Sequence, residues 1–125
     1  MALVPASPTI HAYRTDAAWT TSHRYLFVKR NGDADFDLCG AGELPFGALA
    51  EEVVDCSSAA RSLPVQDGGR IRVKCGASFN AGVAVMSDGN GKAIAWTTGN
   101  AQAGVALSDG ADGKVIAITF SPSDD

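Results

Sequence analysis

Three carboxylates spaced two residues apart, Asp33, Asp35 and Asp37, are the first group in this chain of 125 residues that could hold a cation. A calcium loop of the EF-hand type would continue with Gly at its sixth position and Glu at its twelfth, to turn sharply and then close the shell with a bidentate ligand. Here those positions are Leu38 and Leu44, with Glu43 one place early. Alternation with Ala34, Phe36 and Leu38 instead puts the aspartates on one solvated face of a strand. The turns around Asp88 and over Asp109-Gly110-Ala111-Asp112-Gly113 also offer oxygens, but they lack the G-G-x-G-x-D repeat of calcium-binding β-rolls. Incidental cation binding there stays open. No resident metal or cofactor is expected.

Acid–base and nucleophilic chemistry finds no better footing. His11 and His23 have neither a Ser-x-Gly elbow nor a nucleophilic cysteine context beside them. Glu51 and Glu52 are adjacent, so on a strand they point to opposite faces and cannot flank one scissile bond. Cys39, Cys56 and Cys75 are odd in number, far apart and without zinc spacing, which suits buried thiols in a reducing compartment. The glycines of Cys39-Gly40-Ala41-Gly42 lack the Gly-Lys-Ser/Thr ending of a phosphate loop. The expectation is a protein that is not an enzyme.

One basic run stands out. Arg70, Arg72 and Lys74 alternate with Ile71, Val73 and Cys75, giving a strand with three cations on one face and apolar groups on the other. A solvated or subunit-facing strand face is the plainer reading, and contact with an acidic protein partner is the functional one. With ten basic and fourteen acidic residues the net charge is −4, so the broad basic footprint of nucleic-acid binding is missing. No run approaches the roughly 20 apolar residues of a membrane-spanning helix. Met1-Ala2-Leu3-Val4-Pro5 does not read as an export signal. Neither nucleic acid nor membrane is an expected partner.

The elements that must position these groups are β-strands. The length suits one domain. The 46% hydrophobic content includes 21 alanines, against 27 Leu, Ile, Val and Phe together, so the core is thin. Residues 1–22 hold Pro5 and Pro8 and show neither strand nor helix periodicity, and they read as an extended N-terminal arm that docks its aromatics on another surface. Residues 23–125 read as a single β domain. Tyr25 to Val28 begins a strand that ends in an Asn31-Gly32 hairpin signal, Gly47–Val54 reads as another, and residues 55–69 read as loose. Residues 81–96 (AGVAVMSDGNGKAIAW) and 103–118 (AGVALSDGADGKVIAI) are a near-repeat, which predicts two hairpins of one sheet with Asp-Gly turns. In each outgoing strand bulky residues (Ile94, Trp96; Ile116, Ile118, Phe120) alternate with small ones. The predicted fold is all-β, a small β-barrel or β-sandwich of about eight short strands preceded by the arm.

Four stretches carry a resemblance: RYLFVKRNGDADFDLCGAGELPFGAL, GGRIRVKCG, AGVAVMSDGNGKAIAW and the closing AGVALSDGADGKVIAITF. In this order and spacing, over about residues 24–120, the chain resembles the small capsid cement, or head decoration, proteins of tailed bacteriophages. The resemblance implies a β-rich protein, made in the host bacterial cytoplasm, that binds the outer surface of an assembled head. There it would clamp neighbouring subunits of the major capsid protein as an oligomer with itself, a trimer in preference to a dimer. The interface residues expected from the sequence are Ile10, His11, Tyr13 and Trp19 in the arm, with Arg70, Arg72 and Lys74 as a basic face. The alternative is a carbohydrate-binding β-sandwich for host-surface recognition, which needs several aromatics on one platform.

Overall fold

The computed structural model describes residues 9–15, 21–31, 35–50 and 61–123. Among them are ten strands and a 3-10 turn at Thr21–His23. β1 (Thr9–Thr15), β2 (Phe27–Asn31), β3 (Asp35–Leu38), β4 (Gly47–Leu49) and β5 (Arg61–Gly68) form one sheet in the order β1-β5-β4-β2-β3. β6 (Arg70–Lys74), β7 (Ala84–Ser87), β8 (Ala93–Ala95), β9 (Gln102–Ala106) and β10 (Val115–Ser123) form a second, in the order β6-β10-β9-β7-β8. All ladders are antiparallel. The fold is therefore all-β, and of the two closures expected it is the sandwich. The edges of the second sheet meet at a single bridge, Cys75 to Ala93, which does not extend into a ladder.

One core joins the two sheets. Phe27 and Ala48 from the first meet Ile71, Val73, Val85, Ile116 and Ile118 from the second. Burying one such Phe, Ile or Val stabilises by roughly 1.5–3 kcal/mol. A smaller cluster of Val28, Phe36, Leu49 and Val65 belongs to the first sheet, with Phe46 packed against it. The Arg30 guanidinium lies 5.3 and 5.5 Å from the Phe36 and Phe46 ring centroids and covers both rings.

The near-repeat becomes two hairpins side by side. β7 pairs with β8, β9 with β10, and β7 with β9. Each Asp-Gly turn is anchored. The Asp88 Oδ1 accepts the N–H groups of Asn90 and Lys92 at 2.7 and 2.9 Å, and Gly91 (φ +79°) accepts from the Phe27 N–H at 2.7 Å. A Cβ at Gly91 would sit 2.8 Å from the Phe27 carbonyl oxygen, so glycine is required there twice over. In the second turn, the Asp109 Oδ1 accepts the Ala81 N–H at 2.8 Å.

One expectation changes, and others are met only in part. The loose stretch over 55–69 contains β5, eight residues long. Pro64 is tolerated because β4 pairs with β5 only at Ala48–Gln66 and Leu49–Val65, so β5 lacks that neighbour at Pro64. The strand expected over Gly47–Val54 is described only as Gly47–Leu49, and residues 51–60, with Glu51, Glu52 and Cys56, lie outside the described residues. In the first repeat copy the alternation does not sort the strand into one buried and one exposed face: Ala93 is buried in the core, Ala95 is exposed, and Ile94 and Trp96 are half-buried. The Gly76 N–H donates to the Ala93 carbonyl at 2.8 Å, and at so close a backbone approach a small side chain fits. The second copy buries Ile116 and Ile118 as its alternation predicts.

Seven residues of the segment expected as an extended arm, Thr9–Thr15, lie along β5 as the outermost strand of the first sheet.

Candidate partner-binding surface

β6 has the alternation its sequence dictates. Ile71 and Val73 are wholly buried, Arg70 and Arg72 are exposed, and Lys74 is half-buried on the same side. None of the three cations makes a salt bridge with a described acid. The strands of the second sheet contain these cations and no Asp or Glu. The strands of the first sheet mix cations with Asp35, Asp37 and Asp67, so the second sheet is the one whose strands carry positive charge alone, in a chain whose net charge is −4.

Register extends this face inward from β6. Arg70 stands opposite Thr119, Arg72 opposite Ala117 and Lys74 opposite Val115. Thr119 in turn faces Val105, and Val105 faces Ala84. Leu107 follows on the same side and donates its N–H to the Ala117 carbonyl at 3.0 Å. Val105, Leu107 and Val115 are 38%, 42% and 37% exposed. Among the described residues the other large exposed hydrophobic is Leu44. A row of cations therefore borders an apolar strip, the arrangement of apolar centre and polar rim common at protein interfaces.

The outer edge of β6 is closed to a further strand by two groups from the first half of the chain. The buried Gln66 amide donates from Nε2 to the carbonyls of Arg72 (3.0 Å) and Leu49 (3.2 Å), and its Oε1 accepts the Arg72 N–H at 3.0 Å. Tyr25, at φ +67°, donates its N–H to Leu49 and accepts from the Lys74 N–H at 2.8 Å. A non-glycine residue in the left-handed region is strained, and the strain is held here by a hydrogen bond to each sheet. With its edge occupied, β6 can offer a partner only its face.

Of the residues expected at an interface, Arg70, Arg72 and Lys74 share that face. The backbones of Ile10, His11 and Tyr13 lie in β1, paired with Gln66, Val65 and Leu63. Trp19 lies outside the described residues. Sequence reading missed Val105 and Leu107, because a valine and a leucine in an alternating strand look like core until the register shows which side they take. It also missed Gln66 and Tyr25, whose roles depend on residues distant in the chain.

The other groups singled out have structural partners. Asp88 and Asp109 cap turns, and no cluster of three or more metal-ligating side chains occurs among the described residues. Burial pushes the Cys39 thiol up to about 11 and raises that of Cys75. Glu43 is held below the usual carboxylate range by the Lys29 ammonium at 2.9 Å and by the Gly40 N–H at 2.7 Å. Of the aromatic side chains whose burial is described, Phe27 and Phe36 are buried and Tyr25, Phe46, Phe79, Trp96 and Phe120 are half-buried. The half-buried Trp96 commits its Nε1–H to the Asn100 carbonyl at 2.7 Å.

No family model matches the chain, and no curated protein matches it in sequence. Among solved structures, the N base of the head fiber gp8.5 of bacteriophage phi29 aligns with a TM-score of 0.66, over 95% of this chain and 98% of that chain. The likeness is one of fold. At 15% identity it carries the two-sheet architecture over nearly the whole of both chains, and the shared fold does not by itself carry function.

Proposed function

We propose that this chain is a structural, non-enzymatic virion protein of a tailed bacteriophage. In this reading it binds the outside of the assembled head as a small symmetric oligomer, a trimer in preference to a dimer, and clamps neighbouring major capsid subunits. The observation that carries the reading is the fold shared, end to end, with a protein of a phage head. The order of motifs over residues 24–120, which resembles the head decoration proteins, points the same way independently of that comparison. A cement protein gains from oligomerisation because each tethered copy raises the effective concentration of the next without improving any single contact.

A second reading has its own support, since the structural neighbour is named as the base of a head fiber. In that case the chain would seat a projecting appendage rather than tie capsid subunits together. Electron cryomicroscopy of the virion, with and without the protein, separates the two. Density bridging adjacent capsid subunits, and heads that lose DNA at lower temperature when the protein is absent, support the clamp. Density at the foot of a projecting fibre with no change in head stability supports the base. Absence of the protein from purified virions refutes both.

A further inference from the structure

We infer that the outward face of the second sheet is a docking surface for an acidic patch on a different protein, which under the function proposed above is the head surface. Arg70, Arg72 and Lys74 form the charged border, and Val105, Leu107 and Val115 the apolar strip beside it. The chemistry required of the partner follows from these six side chains: one or two apolar groups that fill the strip, flanked by carboxylates spaced to meet a row of cations two residues apart along a strand. Arginine favours this use, because its planar fork pairs two nitrogens with one carboxylate.

Two simpler occupants fit less well. Strand addition at β6 is blocked, because Gln66 already holds the N–H and carbonyl of Arg72 and Tyr25 the N–H of Lys74. A second copy docking two-fold through the same face sets cation-bearing strands against each other, since the strands of the second sheet contain no Asp or Glu and the exposed Asp109 and Asp112 lie in the β9–β10 turn. A two-fold contact of this kind would bring six cations together around the strip. The acidic residues that give the chain its net charge of −4 lie off these strands, and their charge keeps the rest of the surface from competing for an acidic partner. Opposite potentials across such a contact set orientation and encounter rate, while the apolar strip holds the complex once formed.

The experiment is co-sedimentation of the full chain with purified heads lacking it, over a series of NaCl concentrations. Three variants are compared with the wild type: R70E/R72E/K74E, the neutral R70Q/R72Q/K74Q, and V105D/L107D. Circular dichroism and sedimentation velocity report the fold and oligomeric state of each. The expected result is wild-type binding that weakens as salt rises, with folded variants of unchanged oligomeric state binding about ten-fold or more weakly. If the wild type binds and folded variants bind as tightly, the docking surface is wrong while the virion reading stands. If V105D/L107D dissociates the oligomer, the face is a contact between copies and the inference is overturned. If wild-type protein does not bind heads, the virion reading fails first and the head surface is no longer the partner.

Discussion

The side chain of Gln66 takes the place of a neighbouring strand against Arg72, giving and receiving one hydrogen bond of 3.0 Å each with its backbone. An amide has the same donor and acceptor as a peptide group, so one side chain can complete a ladder position at a sheet edge. Because Gln66 belongs to β5 and Arg72 to β6, the contact also fixes the first sheet to the second.

Replacing Gln66 by Leu keeps its bulk and removes that function. The Arg72 N–H and carbonyl lose their partner, while the Leu49 carbonyl keeps the Tyr25 N–H at 2.9 Å. A buried polar group left unpaired costs about 1–3 kcal/mol, so urea denaturation of Q66L is expected to show a loss of at least that size. An unchanged midpoint would mean that water reaches these groups. The freed edge of β6 should also promote association, visible by light scattering.

Gly91→Ala meets two obstacles, a left-handed backbone and the Phe27 carbonyl. The conformational part alone costs about 1–2 kcal/mol, and the clash adds to it. Gly82, also at positive φ but with open space around it, serves as the control. Thermal melts should place G91A well below G82A; equal melting temperatures would contradict the docking of the β7–β8 turn on β2.

The buried thiol of Cys39 predicts an alkaline limb in stability. Its folded value of about 11 lies above the ordinary 9.0. Below pH 9 the thiol is protonated in both states and its contribution is fully present. Between 9 and 11 the unfolded chain releases the proton while the folded chain keeps it, so stability falls as pH rises through that window. Cys39→Ala should flatten this part of the pH profile. In native protein at pH 8, Cys39 and Cys75 should both resist Ellman's reagent.

Truncation separates the two readings of the N-terminal segment. Removing residues 1–8 spares β1, whereas removing residues 1–22 strips it from β5. The longer deletion exposes a row of unpaired backbone groups and is expected to lower the melting temperature and cause aggregation; the shorter is expected to do neither. If both truncated chains melt like the full chain, β1 contributes nothing to the domain and the segment acts only outside it.

What could be read in advance was local. The cation face of β6 follows from alternation over six residues, and the turn at Asp88 from its own side-chain hydrogen bonds. β1 and β5 escaped because their order comes from pairing Thr15 with Arg61, across a separation that no window of sequence spans. β5 was obscured further by Pro64 and Asp67-Gly68, which are turn signals unless a neighbouring strand overrules them. The same reason hid part of the binding face. Arg72 and Leu107 are 35 positions apart, and only the ladder between β6, β10 and β9 makes them neighbours.

Gly69, at φ +74°, is the whole of the connection between β5 and β6. A junction of one residue, with ladders gripping the chain on either side, has no slack to pay out. A load applied to the face that carries Arg70 and Arg72 reaches the first sheet without stretching a linker, and the Gln66 and Tyr25 hydrogen bonds run as struts beside it. Mechanically the two sheets form one stiff fitting, and strain applied at that face would be shared across both ladders.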